Sequence, residues 1–498
     1  MCSFCRSTLV RDGEALRRIG VSAELFDDHS PLQLGASGTR QGVAFTLVGR
    51  LQYGYSMGPQ APAAPAPPPE GAGSPGKAGS TLGGTWNEWH ALFDNGRSAW
   101  LSEDNGAYVI AFDAPLPADA PAIDTLRAGG RTLAEGRAWD VASVVRARLI
   151  AAQGELPTPP QLQGEFTVVD LRNPAGEVAT LEGRAAGKPG WSVGRAVALS
   201  ELALSGLKET SEKTLAGRAI ECPSCGAALE IKLASTQSLS CHQCHAVVDL
   251  SAGVGAELRH YPQNNAGVGG AEPQIALGRS GTLALGGPPL PWQVVGYQER
   301  CDIPEDAEEE TTFWREYLLY HRSEGFAFLV DSNEGWSWVR PITGAPVVRG
   351  EQAQWQGVNY RQRWSYAAKV TWVQGEFYWR VQRDERAQVT DFEGSGHAAQ
   401  ARLSREQTAG EVIWSAGETL DAGTVADAFV IAPAARAALQ RDVAPLSSGL
   451  GLRRGVIIVM VVLMLIVILS QCSGGGSAGG VRTGGGSYGG WSSGGGHK

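Results

Sequence analysis

From residue 32 to about residue 430, apolar side chains recur at every second position in short runs broken by Gly, Asn and Asp. FTLVGRLQYGY (45–55) is one such run; WNEWHALFDNGRSAWLSEDNGAYVIAF (86–112) holds three more, with DNG and EDNG between them. A period of two, rich in β-branched and aromatic residues, predicts half-buried strands joined as hairpins. Residues 14–30 lack that period and read as a short helix or irregular connector. Residues 57–84 are almost wholly Pro, Ala, Gly and Ser. They cannot bury enough apolar surface to order themselves, which predicts a disordered loop inserted in a hairpin.

The strand pattern occurs twice. LQLGASGTRQGVAFTLVGRLQYGY (32–55) is similar to IALGRSGTLALGGPPLPWQVVGYQERC (275–301), and WNEWHALF (86–93) to FWREYLLY (313–320), with Glu88 matching Glu316. AWLSEDNGAYVIAF then matches AFLVDSNEGWSWVRPI, GELPTPP with its following strands matches GEFYWRV with its own, and WSVGRAVAL matches WSAGETLDA. Collinear matches of this kind predict a duplication. The fold class expected is mainly β: two copies of one β-rich domain at 32–206 and 275–432. The insertion at 57–84 falls where the second copy has CDIPEDAEEETTF.

Between the copies, residues 219–251 carry Cys222-x2-Cys225, fifteen residues, then Cys241-x2-Cys244. That is zinc-ribbon spacing, with LEIKL and AVVDL as its strands. A thioredoxin-like pair would occur singly at a strand-to-helix junction, so two knuckles favour zinc over redox chemistry. Four thiolates leave no open coordination position, so the zinc is structural. His242 and His245 are expected to be exposed rather than ligands. Residues 1–13 open on Cys2 and Cys5, followed by a β-branched run similar to that after the second knuckle. They read as the latter half of a ribbon, an unpaired half-site. A start upstream of Met1 is the favoured account, beside a degenerate first ribbon or completion by a partner chain.

An uncharged apolar run of fourteen residues spans Val456–Leu469, behind Arg453 and Arg454. It is shorter than the usual spanning length of about 17–25 residues. It is apolar on every face, however, and small residues extend it to 455–472, so a transmembrane helix is expected there. The arginines on its N-terminal side place the bulk of the chain in the cytoplasm. The remaining 473–498 is a Gly/Ser-rich tail expected to be disordered. Six of the eight cysteines lie in C-x-x-C pairs, leaving Cys301 and Cys472 alone, and no signal peptide opens the chain. Both features suit a reducing compartment.

A net charge of −9 disfavours a nucleic-acid partner, which needs phosphates neutralised by Lys and Arg. No nucleophile elbow, HExxH, phosphate loop or dinucleotide fingerprint is present, and His90 occurs in only one copy. An enzyme is therefore disfavoured. Glu88 and Glu316, repeated between aromatics, are the remaining candidate binding residues, for a cation or small cationic metabolite. A structural ion pair is the competing reading.

SPLQLG, WNEWHALFDNGRSAWLSE, GELPTPP…VVDLR, WREYLLYH, the ribbon before the second domain and the SGGGHK tail together resemble bacterial proteins of domain-of-unknown-function family 4178. The resemblance implies a complete ribbon at the start of the chain, which this chain does not show, and it brings no biochemical activity. The expectation is a tail-anchored, single-pass protein of the bacterial inner membrane. Its work would be to bind or scaffold a protein partner at the cytoplasmic face; an enzyme accessory subunit is the alternative.

Overall fold

The computed structural model describes residues 8–12, 15–20, 30–57, 84–104, 107–160, 164–183, 188–208, 218–233, 236–250, 258–263, 272–304, 310–381 and 386–440. Cys2, Cys5, most of the 57–84 insertion, the apolar run at 455–472 and the Gly/Ser tail lie outside the described residues. No helix among the described residues is long and apolar enough to cross a membrane.

Strands β1 (Thr8–Asp12) and β2 (Ala15–Gly20) form an antiparallel hairpin with Asp12 opposite Ala15. The reading of 14–30 as a helix or irregular connector is thus corrected over Ala15–Gly20. A helix this short is marginal on its own, and a strand partner two residues away decides the conformation.

The first domain contains β3 (Ser37–Arg40), β4 (Val43–Met57), β5 (Gly84–Phe93), β6 (Ser98–Asp104), β7 (Ala107–Ala114), β8 (Arg131–Ala134), β9 (Arg137–Gly154), β10 (Phe166–Arg172), β11 (Glu177–Gly183) and β12 (Gly190–Val197). Eight of them run in the order β4-β5-β6-β7-β12-β11-β10-β9, and β9 pairs back onto β4 to close an antiparallel barrel. Closure requires strands that bend: β4 is bulged at Leu47/Gly49, and β9 carries an extra residue, Ile150, opposite Gln52/Tyr53. Gly49 is needed there: a Cβ on it would lie 2.1 Å from the backbone oxygen of Glu155.

The ribbon supplies β13 (Arg218–Glu221), β14 (Ala228–Ile231), β15 (Ser238–Ser240), β16 (Val247–Asp249) and β17 (Arg259–Tyr261). The second domain contains β18 (Ser280–Leu283), β19 (Leu290–Ile303), β20 (Phe313–His321), β21 (Gly325–Ser332), β22 (Gly335–Ile342), β23 (Val347–Arg349), β24 (Gln352–Trp355), β25 (Val358–Phe377), β26 (Arg386–Gly394), β27 (Ala401–Gln407) and β28 (Val412–Leu420). Its ring, β19-β20-β21-β22-β28-β27-β26-β25, closes through β25–β19 in the same order as the first. Each barrel is therefore one copy of a duplicated fold.

Outside the second ring, helix α1 (Ala422–Ala428), N-capped by the Asp421 carboxylate, packs Val425 and the following Phe429 against Trp292, Tyr317 and Trp336. The two barrels touch where the β27–β28 turn meets β9. The Val144 amide donates to Gly410 O at 3.0 Å, and the Gln407 side chain donates to Ala128 O at 3.3 Å.

Candidate metal centre and buried carboxylate clusters

Cys222, Cys225, Cys241 and Cys244 converge, with all four Sγ atoms within 4.8 Å of one another. Each knuckle is built the same way. The Cys222 amide donates to Ala227 O and the Gly226 amide to Cys222 O; the Cys241 amide donates to Ala246 O and the His245 amide to Cys241 O. The residue after each second cysteine sits in the left-handed region, Gly226 at φ 75° and His245 at φ 58°. Glycine adopts this freely, whereas His245 is held there by its knuckle.

The donor set fits zinc. A tetrahedral ion with Zn–S bonds of about 2.3 Å separates its sulfurs by about 3.8 Å. Cys222 and Cys244 Sγ are 3.8 Å apart, and Cys225 and Cys241 Sγ are 3.7 Å apart. Cys225 and Cys244 are shifted in opposite directions. The Ala246 amide draws Cys244 down to about 6, whereas burial and the neighbouring thiols outweigh the Ala227 amide at Cys225 and push it up to about 12. These four residues would hold the ion, and its bonds would supply folding energy to a module with a small apolar core. His242 and His245 are both exposed and outside the cluster.

The ribbon is joined to the second barrel. Ser238 and Leu239 of β15 pair with Phe377 and Glu376 at the end of β25, making β15, β16 and β17 continuous with the barrel sheet, while β13 and β14 pair with each other. The buried Glu376 carboxylate accepts from the amides of Lys232 and Leu233 and from Thr236 Oγ1 at 2.6–3.1 Å. Arg380 Nε lies 2.7 Å from Asp249 Oδ2. The first barrel has the same Gly-Glu step, Gly154 and Glu155, but Glu155 is exposed. There, Pro157, Pro159 and Pro160 follow where the second barrel has Tyr378, Arg380 and Val381. Proline has no amide to pair, so this edge is blunted where its counterpart carries the ribbon.

Glu88 and Glu316 occupy matching positions inside the two barrels. Each accepts from the indole two residues before it, Trp86 Nε1 at 3.3 Å and Trp314 Nε1 at 2.7 Å. Glu316 is fully buried and also accepts from Gln298 Nε2 at 2.6 Å and Arg300 Nη1 at 3.2 Å. A cation at Glu316 would have to displace that guanidinium.

Two further buried carboxylates, which sequence reading missed, sit in the second lumen. Glu406 Oε1 is 2.6 Å from Arg300 Nη1, and Asp391 Oδ2 accepts from Tyr366 OH at 2.8 Å. Asp170 is the counterpart of Asp391 and accepts from Ser143 and Thr180. Burial pushes Asp391 up to about 7 against the pull of Ser404, Tyr366 and Arg300. Burial also pushes Glu406 up to about 7, with Arg300 opposing and Glu316 adding to the rise. Burial alone would lower Arg300, but Glu406 and Glu316 outweigh it and hold the guanidinium charged. The only signal in the sequence was the shared VVD/VTD triplet of the two copies.

The model of the family described as Domain of unknown function (DUF4178) matches residues 33–199 and 290–422, more than half of the chain. The chain belongs to this family. Its two matched regions fall on the two barrels, so the family domain is an eight-stranded closed barrel with short flanking strands. No curated protein and no solved structure matches the chain.

Proposed function

We propose that this family member is a membrane-anchored binding or scaffolding protein at the cytoplasmic face of the bacterial membrane. The observation that carries the reading is the ribbon: its four sulfurs would use every position of a tetrahedral ion, and its strands β15, β16 and β17 are built into the second barrel's sheet. A metal so enclosed holds a surface in shape and offers no position to a substrate. In the second lumen Arg300 bonds Glu316 and Glu406 across the interior, so recognition there falls to the outer face and loops of the barrel. The apolar run at 456–469 behind Arg453 and Arg454 supports the attachment, and their positive charge favours an orientation with the barrels inside. The partner class is a protein, since the acidic chain is poorly suited to phosphate backbones.

The test is affinity purification of the tagged full-length chain from gently solubilised membranes, beside a chain ending before Arg453. The expected result is one defined protein partner recovered with the full-length chain. Recovery by both chains assigns recognition to the barrels, and recovery by the full-length chain alone assigns it to an assembly in the bilayer. If neither chain retains a partner, or if the full-length chain is released from membranes by salt alone, the reading fails.

A further inference from the structure

The first barrel brings together three groups that the sequence keeps apart: His90 on β5, Ser98 at the start of β6, and the backbone carbonyl of Glu155 just beyond β9. Ser98 Oγ lies 2.9 Å from His90 Nε2, and His90 Nδ1 lies 2.9 Å from Glu155 O. A carbonyl oxygen can only accept, so Nδ1 carries the ring proton and donates it. Nε2 is then the bare nitrogen and accepts from the Ser98 hydroxyl. That is the tautomer and the direction of a serine nucleophile with its general base, with a main-chain carbonyl in the orienting position.

The orienting carbonyl is firmly placed. The Glu155 amide donates to Val48 O at 2.7 Å, Gly154 turns the chain at φ 75°, and the missing side chain of Gly49 leaves room for Glu155 O. His90 is buried and its ring packs against Trp100 at 5.4 Å, whereas Ser98 is half-exposed at the end of its strand. The base is thus shielded and the nucleophile reachable. Packing does not demand this pair: the positions equivalent by strand register in the second barrel are Leu318 and Phe326, both buried and apolar.

We propose that Ser98 is a nucleophile for acyl transfer with His90 as its general base, and that the substrate class is an activated ester or thioester. In the forward step the Ser98 proton passes to His90 Nε2 as Oγ bonds to the acyl carbon. The bond from that carbon to the alkoxide or thiolate breaks, and the leaving group takes the proton from His90. Water then attacks the acyl-serine, giving its proton to His90 and releasing a carboxylic acid, and Ser98 recovers its proton. This activity is independent of the binding role proposed above.

The test uses the full chain and a fluorophosphonate reagent, which bonds phosphorus to an activated serine oxygen and expels fluoride, with the modified peptide mapped by mass. The expected result is modification at Ser98, absent in Ser98→Ala and about 100-fold slower in His90→Asn, within the range of a general base. No modification of Ser98 in the native chain overturns the proposal, as does an equal rate in His90→Asn. A heat-unfolded native chain serves should that variant fail to fold: Ser98 modified as fast there as in the native chain also overturns it.

Discussion

Arg300 and Glu406 meet across the lumen of the second barrel, Nη1 to Oε1 at 2.6 Å, although their strands β19 and β27 are not neighbours in the sheet. The guanidinium also lies over the Trp314 ring, 5.5 Å from its centroid. In the first barrel the matching position by register is Tyr53, stacked on Trp86 with centroids 5.0 Å apart. The two copies therefore solve one packing problem differently, with a cation over the indole in one and a phenol ring in the other. The tryptophan and the following glutamate stay the same.

Replacing Arg300 with Met tests what that cation contributes. It would leave Glu316 and Glu406 buried without the guanidinium they share, and breaking a buried pair costs about 3–5 kcal/mol. Urea unfolding of the full chain should show a transition destabilised by about that much. A double replacement, Arg300→Met with Glu406→Leu, should recover part of the loss, because it removes both buried polar partners together.

The same cluster predicts a pH dependence. Asp391 and Glu406 hold their protons up to pH about 7 in the folded barrel, while unfolded carboxyls release theirs near 4. The folded state therefore binds more protons between these values, and stability falls as pH rises through that window. Their contribution is fully present below pH about 4 and is lost above pH about 7. In Asp391→Asn/Glu406→Gln the decline in Tm from pH 5 to pH 7.5 should be shallower than in the native chain. Parallel slopes for the two proteins would rule this cluster out as the source.

Much of this architecture was legible in the chain, and the part that was not has a physical cause. The W-x-E element stood out because Trp86–Glu88 and Trp314–Glu316 are local pairs two residues apart on one strand face. The ribbon stood out because its ligand spacing is itself local. Arg300, Glu406 and Asp391 did not, since which side chains face one another across a lumen depends on bulges such as Val294/Gly296 and Gln362/Trp364. A bulge shifts the inside–outside alternation by one residue, and a period-two pattern conceals it. The Ser98–His90 contact is a diagonal one across the regular β5–β6 pairing, and Glu155 enters it only because β9 closes onto β4.

Gly194 and Gly417 occupy the same place in the W-S-x-G stretch of each barrel, where the chain passes very close to its neighbour. A Cβ on Gly194 would sit 2.2 Å from Ile110 O, and one on Gly417 would sit 1.8 Å from Trp338 O. Both obstacles are backbone atoms of the adjacent strand, which cannot swing aside as a side chain can. Gly417→Ala should thus cost at least the 1–3 kcal/mol of an overpacked core, read by urea unfolding. Gly357→Ala provides the contrast: nothing lies within 4 Å, so its cost comes from a backbone at φ 80° rather than from collision.

The ribbon makes the most direct prediction. The described cysteine cluster has the donors for one metal ion, so metal analysis should give one tightly bound zinc per chain if Cys2 and Cys5 stay empty, and more if they are completed. Cys241→Ser should abolish the tight site, because its sulfur is fully buried among the other three. The effect should reach the second barrel, since β15 is hydrogen-bonded to the end of β25 and the Glu376 carboxylate closes the 232–236 turn. Glu376→Ala would leave the buried Leu233 amide and the Thr236 hydroxyl without this acceptor, at about 1–3 kcal/mol for each such group. Hydrogen exchange should then quicken at 232–250 and at 375–381 together, both in Glu376→Ala and after removal of zinc by a strong chelator. Exchange that quickens in the ribbon alone would mean that the barrel edge holds its shape without it.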